Sequence, residues 1–210
     1  MRLYLSSYQL GDHPEMFTSL VGGSRCGWVI MNAFDGADPD MRRLETERQV
    51  KNLARVGLAA RELDLRGHDP RSLAAKIGKP DFLWVRGGNV FTLRAVLAQS
   101  GADAIIADRV GADALVYAGF SAGGCVLAPS LSGLEECDST EDALSMYGAV
   151  QFDGLHILDR PFVPHLCSPE HPESEALTRV AAAYAQEDQP YWGLRDGQAL
   201  VVDGTSVSLR

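Results

Sequence analysis

Residues 114–130 read ALVYAGFSAGGCVLAPS, and the fold turns on whether Ser121 sits at a sharp strand-to-helix turn. Ala114 to Ala118 reads as a strand that enters Gly119-Phe120-Ser121-Ala122-Gly123 directly, and small, helix-compatible residues follow. The pentapeptide matches G-x-S-x-G. The spacing has a steric cause: a nucleophile in a strained backbone conformation at a tight turn needs small residues two before and two after it, so that strand and helix can approach. The helix behind Ser121 would turn its amino end toward developing negative charge, with the Ala122 N–H as one oxyanion donor. The competing reading is a glycine-rich turn with a capping serine.

Working outward, apolar runs alternate with helical stretches. Strands are expected at Arg2 to Ser6, Trp28 to Asn32, Ala59 to Leu63 and Phe82 to Val85, besides the one before Ser121. Asp38-Pro39-Asp40 opens a helix reaching about Val56, with Leu44, Val50, Leu53 and Ala54 available for its buried face. Further helices are expected over Val90 to Ala98, Ala102 to Val110 and Glu173 to Ala185. His156 to Val163 reads as extended, and Tyr191 to Leu194, Ala199 to Val202 and Ser206 to Leu209 as short closing strands separated by Asp-Gly turns. Nearly continuous apolar strands alternating with helices predict an α/β fold, a mostly parallel sheet covered on both faces, with a C-terminal strand hairpin at one edge. No repeat or linker divides residues 1–210, which read as a single α/β domain. Function in such sheets gathers at the carboxyl ends of strands, here after Met31, Val85 and Ala118.

A net charge of −9 argues against a nucleic-acid partner, because phosphate binding needs a basic footprint. No apolar stretch is long enough for a membrane span, and the N-terminus lacks the apolar core and cleavage site of a signal peptide, so a cytoplasmic location is expected. The four cysteines form no CxxC pair and the five histidines lack ligand spacing, so no metal is expected. Arg86-Gly87-Gly88-Asn89 is not a dinucleotide fingerprint, and no organic cofactor is expected.

That same loop follows the Phe82–Val85 strand. Its glycines let the backbone approach a ligand, and it can supply a second oxyanion N–H; Asn89 is suited to cap the next helix. The alternative is a tight turn with a good cap. Among the histidines, His13 and His68 lie in polar turns and His156 within a strand. His165, directly after Pro161-Phe162-Val163-Pro164, and His171, just before a helix, remain as candidate bases. Glu135, Glu136, Asp138, Asp142, Asp153, Asp159 and Asp196 are candidate orienting acids, and spacing alone does not choose among them.

The set RGGNVFTL, YAGFSAGGCVLAPS, FVPH followed by HPESE, and LRDGQALVVDG resembles the peptidase E (alpha-aspartyl dipeptidase) family of serine peptidases, in matching order over nearly the whole chain. SSYQLGDHPE and WVIMNAFD add to it, and the likeness is nearest to the type 1 glutamine amidotransferase-like branch. The resemblance implies a Rossmann-like (flavodoxin-like, class I glutamine amidotransferase-like) fold. It implies Ser121 as nucleophile, His165 as base and Asp196 at the acidic position, where the aspartyl dipeptidases carry glutamate, one methylene longer. It implies Gly88 and Ala122 as the oxyanion hole, and Asn89 and Arg179 as substrate contacts, Arg179 being the basic residue in the helix after His165. Arg86 and Arg195 lie nearer the proposed site. It also implies a homodimer.

The leading expectation is a serine exopeptidase that hydrolyses dipeptides or small aminoacyl amides through an acyl-enzyme. An amidotransferase would need cysteine at the elbow, whereas Cys125 lies one turn further on, in a core position. A non-catalytic small-molecule binding domain is the third reading.

Overall fold

The apolar runs form a seven-stranded sheet in the computed structural model, which describes residues 1–210. β1 (Arg2–Ser6), β2 (Cys26–Ile30), β3 (Ala59–Glu62), β4 (Phe82–Val85) and β5 (Val116–Phe120) run parallel in the order β3-β2-β4-β5-β1. β6 (Phe162–Val163) and β7 (Trp192–Gly193) make a separate parallel pair. β8 (Ala199–Asp203) and β9 (Ser206–Leu209) then add the expected antiparallel hairpin beside β1.

The pleat sorts side chains to two cores, because alternate residues of a strand point to opposite faces. Leu3, Leu5, Leu83, Val85 and Tyr117 face one side, covered by α3 (Pro70–Ile77), α4 (Val90–Ser100), α5 (Ala102–Gly111) and α8 (Ser174–Gln186). Tyr4, Phe82, Trp84, Val116 and Ala118 face the other, with Phe17 and Leu20 of α1 (Pro14–Leu20) and Leu53 of α2 (Pro39–Arg55). The remaining helices are the single turn α6 (Ala122–Cys125), α7 (Thr140–Tyr147) and two 3₁₀ turns, Asn32–Phe34 and Leu134–Glu136. No single helix is long and apolar enough to cross a membrane.

Register positions the site. Leu5 of β1 and Val85 of β4 both pair with Gly119 of β5, so the chain leaves all three strands at one level. Ser6 pairs with Ala199, so the residues entering β8 arrive at the same edge.

Three expectations change. The helix behind Ser121 is only one turn long, so its aligned dipoles are few and the Ala122 N–H itself is the useful donor. Only Phe162–Val163 of the 156–163 stretch is a strand, and His156 has a φ of 52°, incompatible with one. The buried face of α2 carries Arg42, Thr46, Gln49 and Leu53, while Leu44 and Ala54 are exposed. That face is polar because it meets polar partners: Arg42 pairs with Asp35 at 3.0 Å, and the Gln49 side-chain oxygen accepts the Trp84 indole N–H at 2.8 Å.

Candidate active site

Ser121 sits between β5 and α6 with φ 50° and ψ −121°, outside the relaxed regions for a side-chain-bearing residue. Its neighbours permit this geometry. A Cβ on Gly119 would stand 2.6 Å from the Val85 carbonyl oxygen, and one on Gly123 2.3 Å from the same atom. The G-x-S-x-G spacing is thus the contact distance between the elbow and the end of β4. Gly123→Ala forces the two apart and is expected to destabilise by about 1–3 kcal/mol, read as a lower thermal midpoint.

The loop after β4 closes on the serine. A Cβ on Gly87 would lie 2.7 Å from Ser121 Cβ, and one on Gly88, where φ is 137°, 2.3 Å from the Ala33 carbonyl oxygen. Gly88 N–H finds no acceptor within the chain, whereas the next amide, Asn89 N–H, donates to Ala33 O at 2.8 Å. Ala122 N–H is the first of the helix and an orphan donor by position.

His165 lies beyond β6 with φ 59°, fully buried. Its Nδ1 and Asp196 Oδ1 are 2.6 Å apart. The shorter aspartate reaches because its backbone is held in place: Asp196 N–H donates to Ser168 Oγ at 2.9 Å. Ser7, just past β1, ties the pair together. Its hydroxyl donates to Asp196 Oδ1 at 2.7 Å and accepts the His165 backbone N–H at 2.8 Å. With Nδ1 engaged by the carboxylate, the neutral ring presents a lone pair at Nε2. That atom is buried and has no hydrogen-bond partner, Ser121 Oγ included. Burial pushes the imidazole pKa down to about 4, against the pull of Asp196 and with His171 adding to the fall. His171 stacks on the ring, centroids 3.4 Å apart and planes 3° from parallel.

Ser121, His165, Asp196 and Gly88 line one cleft of about 500 Å³, with Tyr8, Arg86, His171 and Glu173. Arg86 is the cation of this lining. Its Nε lies 3.3 Å from Glu45 Oε1, its guanidinium stacks 3.9 Å from the Phe34 ring centre, and burial lowers its pKa. Of the candidate acids, Asp138 is used at the start of α4, accepting Val90 N–H at 2.8 Å, while burial pushes its carboxyl up to about 7. Cys125 is core, its thiol pushed up by burial and donating to Phe162 O at 3.4 Å.

Two expected substrate contacts lie elsewhere. Asn89 is consumed as a cap: Oδ1 accepts Thr92 N–H at 2.9 Å and Nδ2 donates to Ser139 O at 2.6 Å. Arg179 points outward from α8, because Leu177, Val180 and Ala181 hold the inner face, and it pairs with Glu175 at 3.3 Å and Glu136 at 3.8 Å. Sequence reading missed Ser7 and Ser168, and it had His171 only as a rival base. The signal for Ser7 was its place at the carboxyl end of a central strand.

Comparison with known proteins gives the family. The pattern of peptidase family S51 matches residues 43–210. An uncharacterized peptidase of Listeria monocytogenes serovar 1/2a is 31% identical over 161 residues, 77% of this chain and 75% of that protein. The peptidase E of Streptomyces coelicolor is 29% identical over 160 residues, 74% of this chain and 63% of that protein. A crystal structure described as a candidate peptidase E protein from Listeria monocytogenes EGD-e matches with a TM-score of 0.80 at 25% identity, over 100% of this chain and 97% of that one. With four-fifths of its length inside the family pattern, and a cleft in which a strained serine and a histidine–carboxylate pair meet, this chain belongs to peptidase family S51 and is an enzyme of the peptidase class.

Proposed function

We propose that the chain is a serine exopeptidase of dipeptidase type that hydrolyses dipeptides or small aminoacyl amides through an acyl-enzyme. The observation that carries this reading is the buried His165, bound to Asp196 at 2.6 Å and unpartnered at Nε2, in the same cleft as the strained Ser121. Ser121 Oγ attacks the scissile carbonyl carbon while His165 Nε2 takes its proton. Asp196 fixes the tautomer and balances the imidazolium. Gly88 and Ala122 N–H groups hold the oxyanion. His165 returns the proton to the leaving amine, then takes a proton from the water that attacks the acyl-enzyme and passes it to Ser121 Oγ as the acyl group is released. The open Ser121–His165 contact closes on substrate binding, as such bonds commonly do. A cleft of about 500 Å³ suits a dipeptide better than a folded protein.

Arg86 supplies the positive end of the cleft, where a substrate carboxylate replaces part of its long contact with Glu45. For substrates carrying that carboxylate, Arg86→Gln is expected to raise KM roughly ten- to 150-fold, the worth of a charged hydrogen bond. Matching neutral amides should change little. The reading as a whole is tested by turnover of a dipeptide panel with free and blocked termini, Asp-X and Glu-X included. Cleavage of free-amino dipeptides supports it, and a chain that cleaves none of them is not a dipeptidase.

A further inference from the structure

His165, His171 and Glu173 come together although their sequence spacing gives no metal signature. One ligand-type atom from each, two imidazole nitrogens and a carboxylate oxygen, lies within 4.8 Å of the others. No other trio of His, Cys, Asp or Glu in the chain meets that condition. A second observation points to a ligand there: His165 Nε2 is fully buried with no partner. A third is the carboxylate behind it. Metal-ligating histidines commonly donate their other ring N–H to a carboxylate, which orients the ring and raises its basicity; Asp196 stands 2.6 Å from His165 Nδ1 in that arrangement.

We infer that His165, His171 and Glu173 form a binding site for a zinc-class divalent cation, and that the bound ion silences the enzyme by occupying the lone pair its base needs. Two imidazoles, one carboxylate and a fourth position open to the cleft match the donor preference of Zn²⁺, whereas Mg²⁺ and Ca²⁺ favour all-oxygen sets. Zinc–ligand bonds of about 2.0–2.2 Å set tetrahedral ligand separations of roughly 3.3–3.6 Å. Donor atoms up to 4.8 Å apart must therefore draw closer for one ion to bind all three residues. One rearrangement is required. Two rings stacked 3.4 Å apart and 3° from parallel cannot both aim a lone pair at one ion, so the His171 ring must turn. It is half-buried, and its nearest tether is the Glu173 N–H donating to its Nδ1 at 3.3 Å. Ion and proton then compete for His165 Nε2, and Ser121 loses its acceptor.

Binding is independent of the proposed activity; its inhibitory consequence rests on it. The test is calorimetric titration of the chelator-treated full chain with ZnCl₂, with MgCl₂ as control. The expected result is one Zn²⁺ per chain at micromolar Kd and no Mg²⁺ binding. His171→Ala and the near-isosteric Glu173→Gln should each weaken Zn²⁺ at least tenfold, with folding checked by circular dichroism. In parallel, Ser121 labelling by a fluorophosphonate should slow as Zn²⁺ occupancy rises and recover with EDTA. No Zn²⁺ binding below about 1 mM overturns the site. So does binding abolished in Cys26→Ser/Cys167→Ser but kept in His171→Ala, which assigns it to the exposed thiols. Zinc binding with the expected variant pattern but no labelling at any zinc concentration upholds the site and defeats the peptidase mechanism; labelling indifferent to bound zinc overturns the inhibitory role.

Discussion

Ser121→Ala is expected to lower kcat/KM on a cleavable dipeptide by a factor on the order of a thousand or more, leaving only what the oxyanion donors and binding supply. The change removes one oxygen atom and keeps the Cβ that packs against Gly87, so the cleft holds its shape. The backbone strain stays as well, since alanine is no more at ease than serine at a φ of 50°. Stability should therefore change little. Ser121→Gly makes the contrast: it is equally inactive, but glycine accepts this conformation freely and should recover part of the roughly 1–3 kcal/mol stored at such a residue. Steady-state kinetics and thermal denaturation of the two variants separate the chemical role of the side chain from the structural cost of its position. Equal activity in Ser121→Ala and the wild type would remove the nucleophile from the mechanism.

Asp196→Asn carries the second large effect, a fall in kcat on the order of 10³–10⁴ with KM little changed. The Ser7 hydroxyl and His165 Nδ1 share one oxygen, Asp196 Oδ1. An amide that keeps its oxygen there has lost the charge that balances the imidazolium, and one that turns its NH₂ there forces the ring proton onto Nε2, the atom that must receive the Ser121 proton. In the wild type, burial holds the His165 pKa at about 4, so the base is already neutral at pH 7. Because the unprotonated ring is the active form, kcat/KM should stay flat as pH falls through the ordinary histidine range and drop only near pH 4. An acid limb near 6.5 would mean that the ring titrates as if solvated, contrary to its burial.

The central strands and the elbow were legible because each had a local cause. Phe82–Val85 is continuously apolar and bounded by turn residues, and its expected and observed limits coincide. Gly119, Ser121 and Gly123 carry a steric pattern that the Val85 carbonyl explains. Asp196 could not be chosen by spacing, because the bond to His165 depends on Ser7 and Ser168, far apart in the chain and brought together only by the tertiary fold. The inner face of α2 was misread for a related reason. Hydrophobic periodicity finds apolar stripes, and this helix buries Arg42 and Gln49 against partners supplied by other segments. The short helices α1, α3 and α7 run for about two turns each, too few for a period to register, although Asp69 and Ser72 form a complete capping box at α3. Arg179 was placed by helix membership alone, which says nothing about which face it occupies.

The central claim, that Ser121 is a nucleophile activated by His165 and Asp196, is tested most directly by intact-mass spectrometry after incubation with a fluorophosphonate, followed by peptide mapping. The account predicts one adduct per chain, located on Ser121, and a strongly reduced labelling rate in Asp196→Asn. An unlabelled wild-type chain, or an adduct on any other residue, would contradict it.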